Sequence, residues 1–268
     1  MTQEQPGQDP RFDTSVASIA RIYDYWLGGK DNFAVDREAA EAMIRQYPDI
    51  IAGVRKNRAF LGRTVHYLAA EAGLRQFLDI GTGLPSSNNT HEVAQRAAPE
   101  SRIVYVDNDP VVLSHAQALL TSSREGACAY IDADLRDPAT ILKQAAATLD
   151  LSRPVAVCLI MVLQFVPDED DPGQIVRTLM AAVPPGSYLA VAHPASDVDT
   201  GVAPALRQLS TRMGRTQVVA RSHAQIARFF DGLELVDPGL VQLHRWRPGS
   251  GVDTARPLAA YGGLARKP

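Results

Sequence analysis

The first part of the chain carries apolar side chains at helical spacing. Apolar residues recur every three or four positions between Val16 and Leu27, in "VASIARIYDYWL", and Gly28 follows as a stop signal. Two further segments, 36–47 and 50–73, repeat the pattern. We therefore predict three helices in this region. The candidate N-caps of the first helix are Asp13, Thr14 and Ser15.

From residue 74 onward, short apolar runs alternate with segments of helical periodicity. The apolar runs are "QFLDI", "RIVYVD", "CAYID", "VAVCLIMVLQFV" and "SYLAVAH". The helical segments between them are "NTHEVAQRAA", "DPVVLSHAQALL", "PATILKQAAATL" and "PGQIVRTLMAAV". Strands joined by helices of this length form a parallel sheet with helices on both faces. The pattern therefore predicts a doubly wound α/β fold.

The pattern loosens after residue 187. Residues 197–215 predict a loop with one helix that lies over the ligand edge of the sheet, while "LELVDPGLVQL" and "YGGLARK" predict two closing strands. No repeat or linker divides the chain. We assign residues 1–10, rich in Gln, Pro and Gly, to a disordered tail. We assign 11–73 to a helical extension that covers the ligand site and 74–268 to the sheet domain, as one structural unit.

Composition narrows the range of functions. The 268 residues are 46% hydrophobic and 21% charged, as in ordinary globular proteins, and the net charge of −3 gives no general attraction to nucleic acids or anionic membranes. The chain begins with the polar run "MTQEQPGQDP", and its longest apolar run, Val155–Leu163, is too short to span a bilayer. The histidines have no metal-ligand spacing. These features predict a cytoplasmic protein without metal, nucleic-acid or membrane partners.

A glycine turn follows the first predicted strand, in "LDIGTGLP". Gly81 and Gly83 let the backbone approach a ligand, as in dinucleotide-binding proteins, although a tight turn without ligand has the same pattern. Asp79 distinguishes the ligands, because a carboxylate here repels the pyrophosphate of a dinucleotide. Ser86 also replaces the third glycine of the dinucleotide pattern. The acid attracts S-adenosylmethionine, which carries an ammonium, a sulfonium and no phosphate.

Two more acids end the next two predicted strands. Asp107, in "YVDND", lies where a carboxylate accepts hydrogen bonds from ribose hydroxyls, and Asn108 follows within reach of the adenosine. We interpret Asp109 as a helix cap, because it precedes a proline. In "IDADL", Asp134 can accept from the adenine amino group, with Leu135 beside the ring and Asp132 as the alternative acceptor. Ligands of open α/β sheets bind at this edge.

The motifs "LDIGTG", "YVDND", "ADL" and "VLQFVPD" together resemble those of class I S-adenosylmethionine-dependent methyltransferases. The signature "YDYWLGGKDNF" and the terminal "YGGLARKP" resemble one bacterial family among them. The resemblance implies a seven-stranded sheet in the order 3-2-1-4-5-7-6, with strand seven antiparallel. It implies S-adenosylmethionine as cofactor, with Asp79, Gly81 and Gly83 on its methionine half, Asp107 on the ribose and Asp134 on the adenine.

The remaining candidates concern the methyl acceptor, which the resemblance does not identify. The end of the fourth strand is expected to approach the methyl group, through Ile160 and Met161. Arg58 is a candidate for the methionine carboxylate, with a surface ion pair as its alternative. His193 is a candidate base, with a half-exposed histidine at a strand end as its alternative. The other candidates for the acceptor site or its lid are Tyr23, Tyr25, Lys30, Asn32, Gln164 and Phe165.

The sequence therefore predicts direct, in-line methyl transfer to a small-molecule acceptor, without a residue that can be assigned as catalytic base. A protein that binds S-adenosylmethionine without transferring the methyl group, as a sensor or partner subunit, is the alternative. An NAD-dependent oxidoreductase is a weaker one. Formation of S-adenosylhomocysteine distinguishes a methyltransferase from a protein that only binds the cofactor. Competition between NAD and S-adenosylmethionine distinguishes it from an oxidoreductase.

Overall fold

The computed structural model describes residues 13–119, 121–214 and 217–268. The disordered tail predicted for residues 1–10 lies outside the described residues. The described part of the chain contains an eight-stranded sheet. Its strands are β1 (Gln76–Ile80), β2 (Arg102–Asp107), β3 (Ala127–Asp132), β4 (Ala156–Ile160), β5 (Tyr188–Pro194), β6 (Glu234–Leu235), β7 (Val241–Gln242) and β8 (Ala260–Arg266).

The strand order is β3-β2-β1-β4-β5-β8-β6, and β7 also pairs with β8. Strands β1 to β5 are mutually parallel, whereas β8 is antiparallel to β5. The predicted mostly parallel doubly wound sheet is therefore confirmed, with β8 in the place of predicted strand seven. The predicted strand 233–243 is two short strands, because Pro238, which cannot donate a ladder hydrogen bond, lies between β6 and β7.

Helices cover both faces of the sheet. In the described part of the chain they are α1 (Ile19–Leu27), α2 (Ala34–Gln46), α3 (Ile50–His66), α4 (Thr90–Ala97), α5 (Pro110–Leu119), α6 (Pro138–Ala145), α7 (Pro172–Ala181), α8 (Val202–Arg212) and α9 (His223–Ala227). Alternate strand residues face opposite sides, as the pleat requires. Leu78 and Val104 pack with α6 and α7, while Phe77 and Ile103 pack with α3 and α4.

The N-terminal helices form a third apolar cluster with α8. Ile22 and Trp26 of α1 and Met43 of α2 pack in this cluster with Val202 and Leu206 of α8. The helix predicted after residues 13–15 begins only at Ile19. This later start arises because the Asp13 carboxylate accepts the N–H of Ser15 at 2.8 Å in a local turn, which competes with helical bonding.

A buried ion pair fixes α1 against α2. The carboxylate of Asp36 accepts from Nε of Arg21 at 2.8 Å and from the backbone N–H groups of Ser18 and Phe33. Both charged side chains are almost fully buried, so their hydrogen bonds must be complete for the pair to be tolerated. No helix among the described residues has the length and apolar character needed to cross a membrane.

Candidate active site

A cavity of about 890 Å³ lies at the carboxyl ends of the central strands. It is near the upper end of the range of about 300–1,000 Å³ that is usual for small-molecule sites. One part of its wall consists of the glycine turn and the acids that end β1 and β2. The other part is mainly apolar and comes from α1, α3, α8 and residues 258–260. The volume therefore leaves room for two ligands side by side.

Asp79 lies on β1 at the cavity wall and is only 6% exposed. Its Oδ2 accepts from the hydroxyl of Thr90 at 2.6 Å, where α4 begins. Burial raises the pKa of Asp79 to about 6, and the nearby Asp107 carboxylate adds to the rise. Among the described residues no cationic side chain forms an ion pair with Asp79. A buried carboxylate without a cationic partner favours the binding of a cationic ligand.

Asp107 ends β2 beside the glycine turn. Its Oδ2 accepts from the N–H of Gly83 at 2.9 Å, and its Oδ1 accepts from the N–H of Asp109 at 3.0 Å. Burial is the main cause that raises the pKa of Asp107 to about 6. Each carboxylate oxygen retains a further lone pair for a ligand. The turn therefore orients the carboxylate, and the N–H of Gly83 points to Asp107.

The glycine turn passes close to the segment that follows β4, and this close approach requires glycine at position 81. Its φ is 75°, its N–H donates to the carbonyl of Val106 at 2.8 Å, and an added Cβ would lie 2.3 Å from Cγ2 of Val162. A side chain here therefore meets both an unfavourable backbone conformation and a steric overlap.

Gly81→Ala is expected to lower the free energy of unfolding by more than the backbone term of about 1–2 kcal/mol, because Val162 must also move. The matched control is Gly83→Ala, since Gly83 has a φ of 64° but open space around an added Cβ. Urea unfolding of both variants measures the difference. Equal losses would contradict the close approach of Gly81 to Val162.

Asp134 follows β3 and lines the cavity together with Asn108 and Leu135. Arg136 forms a bidentate ion pair with it, with Nε–Oδ1 and Nη2–Oδ2 distances of 2.9 and 2.7 Å, and Nδ2 of Asn108 donates at 3.2 Å. The hydrogen bond from Arg136 holds the pKa of Asp134 below its usual value. The alternative acceptor Asp132 lies level with Asp107 in the sheet and is not part of the cavity wall.

The segment after β4 brings Ile160, Met161, Gln164 and Phe165 to the cavity wall. Met161 has a φ of 55°, which is unusual for a residue with a side chain and favours a functional constraint. Its N–H donates to the carbonyl of Ala192 at 2.9 Å, and its own carbonyl accepts from Nε2 of Gln164 at 2.8 Å. These bonds hold the loop in the strained conformation.

Tyr23 and Arg58 reach the cavity from the N-terminal helices. The hydroxyl of Tyr23 accepts from Nδ2 of Asn57 at 2.8 Å. Nη2 of Arg58 donates to the carbonyls of Ser87 and Asn88 at 3.1 and 3.2 Å, which ties α3 to the loop after the glycine turn. Within the described chain Arg58 has no carboxylate partner, so the alternative of a surface ion pair does not hold there.

Tyr25, Lys30 and Asn32 lie outside the cavity wall. The hydroxyl of Tyr25 donates to Glu41 at 2.6 Å, and Nδ2 of Asn32 donates to Asp24 at 2.8 Å. Lys30 is exposed. Tyr25 and Asn32 thus shape the connection between α1 and α2, whereas Tyr23 reaches the cavity.

His193 differs from both sequence interpretations, because it is fully buried and does not line the cavity. Its Nδ1–H donates to the carbonyl of Pro194 at 2.9 Å, and its Nε2 accepts from Nη1 of Arg221 at 2.9 Å. Burial lowers the pKa of His193 to about 3. Both ring nitrogens are engaged and the ring stays neutral, so His193 is not available as a base in this structure.

Several cavity residues were not identified from the sequence. Ser18 and Asn57 belong to the N-terminal helices, Thr82 to the glycine turn, and Leu206 and Leu209 to α8. The apolar periodicity of α8 indicated that one face of this helix is buried. Periodicity alone does not show which other elements pack against that face. Asn57 carried a weaker signal, as an amide on an otherwise apolar helix face.

Comparison with known proteins adds independent findings. A family model described as S-adenosyl methyltransferase matches residues 5–268. The chain is similar to the crystal structure of a DUF574 family protein from Streptomyces avermitilis MA-4680, with 48% identity, a TM-score of 0.92, and coverage of 96% of this chain and 99% of that one. It is also similar to a candidate methyltransferase from Thermobifida fusca YX, with 38% identity, a TM-score of 0.89, and coverage of 96% and 97%.

A third similarity concerns the fold alone. Human N-acetylserotonin methyltransferase in complex with S-adenosylmethionine shares 14% identity with the chain at a TM-score of 0.50, with coverage of 91% of this chain and 62% of that one. No curated protein sequence matches the chain.

Proposed function

Because the chain belongs to the S-adenosyl methyltransferase family and is an S-adenosylmethionine-dependent methyltransferase, we propose that the acidic part of its cavity holds the cofactor and the apolar part holds a small methyl acceptor. The observation that carries this assignment is the pair Asp79 and Asp107. Both carboxylates lie at the cavity wall, have raised pKa values and lack a cationic partner among the described residues. A cationic ligand with a ribose diol satisfies both.

Each predicted cofactor residue receives a role from its position. Asp79 accepts from the α-ammonium, and Arg58, which lines the cavity near Asp79 and Gly83, has N–H groups left for the carboxylate. Asp107 accepts from the ribose hydroxyls. Asn108, Asp134 and Leu135 surround the adenine. The two oxygens of Asp134 already accept three N–H groups of Arg136 and one of Asn108, so the adenine amino group would replace the longest of these bonds, that from Asn108 at 3.2 Å. Gly81 and Gly83 are assigned to the turn beside the methionine half of the cofactor, and Ile160 and Met161 to the surroundings of the methyl group.

When bound, S-adenosylmethionine would supply an electrophilic methyl carbon for in-line transfer, with a neutral thioether as the leaving group. The chain's own contribution is alignment. Met161 and Gln164 form a loop held by two hydrogen bonds, and α8 and α1 close the apolar side. Fixing two reactants in line can lower a barrier by about 7–11 kcal/mol in ideal cases, so no strong chemical catalyst is required.

The N-terminal extension, residues 11–73, acts as a cover for the cofactor in this proposal. Supporting contacts are the hydroxyl of Ser18, which donates to Asp109 beside the ribose-binding acid, and Arg58, which donates to the loop after the glycine turn. The signature "YDYWLGGKDNF" then marks the bacterial family because it builds this cover. Its Asp24 accepts from Asn32 and from the N–H of Asp31, which shapes the connection to α2.

Competition calorimetry tests the cofactor assignment. S-adenosylmethionine is expected to bind the free protein, and NAD at the same concentration is expected neither to bind nor to compete, because its pyrophosphate meets Asp79 and Asp107. Displacement of S-adenosylmethionine by NAD would contradict the assignment.

The affinity for S-adenosylmethionine is expected to fall as the pH decreases from 7 to 5. The cationic ligand favours ionised Asp79 and Asp107, whose pKa values are about 6 in the free protein. Protonation of one or both acids corresponds to about a ten- to hundredfold loss over this interval. Calorimetry across the range measures it. Asp79→Asn is the control, and its profile is expected to be flatter because one titrating group is gone.

The same two acids make the stability of the free protein depend on pH. Their folded pKa values of about 6 lie above the ordinary value of 3.8, so the folded state holds protons that the unfolded state releases. Their stabilising contribution is therefore complete below about pH 4 and is lost as the pH rises through about 6. We expect the rise in melting temperature on adding S-adenosylmethionine to be larger at pH 7 than at pH 5. An equal rise at both pH values would contradict the role of these acids.

A further inference from the structure

Helix α3 carries a glycine where it borders the cavity. Gly53 lines the cavity wall together with Ile50 and Val54 of the same helix. Its N–H donates to the carbonyl of Asp49 at 2.9 Å, so the residue belongs to the hydrogen-bonded part of α3. Glycine is the least favourable helix residue apart from proline. A glycine at such a position leaves room either for a neighbouring element or for a bound molecule.

The packing of the protein does not account for Gly53. Its backbone is helical, and among the described residues a Cβ added to it would meet only Cδ1 of Leu258, at the ordinary contact distance of 3.8 Å. Leu258 itself lines the cavity. Alanine would therefore fit the protein at this position, and its methyl group would fill space that is open beside Leu258 at the cavity wall.

A second glycine of α3 lies away from the cavity. Gly62 is also inside the helix, and a Cβ added to it would have no described side chain within 4 Å. Gly62 is not part of the cavity wall. The two glycines therefore weaken the same helix in the same way, and they differ in whether the space that they leave belongs to the cavity.

Gly53 borders the part of the cavity that the proposed function leaves to the methyl acceptor. It precedes Arg58, which is assigned to the cofactor carboxylate, by five positions, or about 7.5 Å along the helix axis. The adjacent residues Ile50 and Val54 pack in the apolar cluster that α3 forms with α1, α2 and α8. Gly53 therefore lies on the acceptor side of the cavity and not beside the acids at the strand ends.

The cavity wall on this side is mainly apolar. Arg21 forms a buried ion pair with Asp36, and the exposed carboxylate of Asp13 accepts from the N–H and the hydroxyl of Ser15. The apolar side chains that α1, α2, α3 and α8 contribute to this wall include Trp26, Met43, Val54, Val202 and Leu206. An apolar surface on the acceptor complements such a wall.

We propose that Gly53 sets the size of the methyl acceptor, whose apolar body packs on the α3 backbone at this glycine and against Leu258. This inference rests on the proposed function, since it concerns the part of the cavity left beside the cofactor. A methyl group at position 53 takes up part of that space and leaves the cofactor contacts unchanged. Gly53 is thus a specificity residue, and the wider site is obtained with a less stable helix.

The test uses 2-naphthol as an apolar probe. It is titrated by saturation-transfer NMR into protein saturated with S-adenosylhomocysteine, whose own binding is measured first. The wild type is expected to bind 2-naphthol, Gly53→Ala to bind it about tenfold more weakly, and Gly53→Leu to show no binding, because each added side chain overlaps the probe. The affinity of both variants for S-adenosylhomocysteine is expected to change less than about threefold.

The outcomes separate this inference from the proposed function. Absence of 2-naphthol binding to the wild type, or equal binding by wild type and Gly53→Leu, would overturn the inference and leave the cofactor assignment intact. A large loss of S-adenosylhomocysteine affinity in Gly53→Ala would place Gly53 in the cofactor site and would also overturn it. Failure of S-adenosylhomocysteine to bind the wild type would overturn both.

Gly62→Ala is the matched control for a merely structural role. Both alanine variants are expected to raise the melting temperature by about 1–4 °C, because alanine is the better helix former. Gly62→Ala is expected to bind 2-naphthol within about threefold of the wild type. A variant that is more stable and yet binds the probe more weakly is not explained by damage to the fold. Equal loss of binding in both variants, or a lower melting temperature of Gly53→Ala, would contradict the role of Gly53.

Discussion

Replacing Asp107 by alanine is expected to weaken the binding of S-adenosylmethionine by about 10- to 150-fold, which corresponds to the loss of a charge-assisted hydrogen bond worth about 1.5–3 kcal/mol. The carboxylate is proposed to accept from the ribose hydroxyls while the N–H groups of Gly83 and Asp109 hold it in place. Alanine removes the acceptor and leaves the turn without its internal partner. Calorimetric titration of wild type and variant at pH 7.5 measures the effect.

Asp132→Ala is the matched control. Asp132 lies level with Asp107 on the adjacent strand β3 but outside the cavity wall. Its replacement is expected to change the affinity by less than about threefold, since surface substitutions away from a site have small effects. If the two variants lose affinity equally, or if Asp107→Ala binds as wild type does while remaining folded, the assignment of Asp107 to the ribose is wrong.

Arg221→Ala is expected to cause the largest loss of stability, about 3–5 kcal/mol, because it removes a buried guanidinium and leaves buried acceptors unpaired at a cost of about 1–3 kcal/mol each. Arg221 is 2% exposed. It donates to Nε2 of His193, to the carboxylate of Asp168, and to the carbonyls of Leu163 and Val166. These acceptors lie on both sides of the loop that carries Gln164. Without the guanidinium, the carbonyl of Val166 and the imidazole nitrogen of His193 lose their donor, and the carbonyl of Leu163 keeps only the N–H of Val166 at 3.2 Å.

The melting temperature of Arg221→Ala is expected to fall by roughly 6–20 °C, since 1 kcal/mol corresponds to about 2–4 °C in a chain of this size. Arg177→Ala is the control. Arg177 lies on α7, is 62% exposed and pairs with Asp171 at 3.5 Å, and such surface pairs contribute less than about 1 kcal/mol. Calorimetric melting curves of both variants measure the difference. A similar shift in both would show that the contacts of Arg221 are not unusual in strength.

The sheet and its acids could be predicted because they follow from short-range patterns. Apolar runs of strand length, separated by helical segments, allow few topologies, and the parallel order brings the strand ends to one edge. Asp79, Asp107 and Asp134 each end or follow a strand, so their common location required no knowledge of side-chain contacts. The antiparallel final strand was implied by the resemblance to class I methyltransferases.

Other parts of the site could not be predicted, because they depend on contacts between distant segments. The sequence does not show that the N–H of Gly83 points to Asp107, since a glycine turn is compatible with several orientations. It does not show that His193 is buried, because the donor that occupies its Nε2, Arg221, is 28 residues away. Nor does it show which face of the helix end carries Tyr25, whose hydroxyl donates to Glu41 on the next helix.

The position of the cofactor is tested most directly by a crystal structure of the protein with S-adenosylhomocysteine, which retains the ammonium and the ribose diol. Electron density is expected in the cavity, with the amino group in contact with Asp79 and both ribose hydroxyls within hydrogen-bonding distance of Asp107. Density elsewhere, or a cavity that stays empty at saturating ligand, would contradict it.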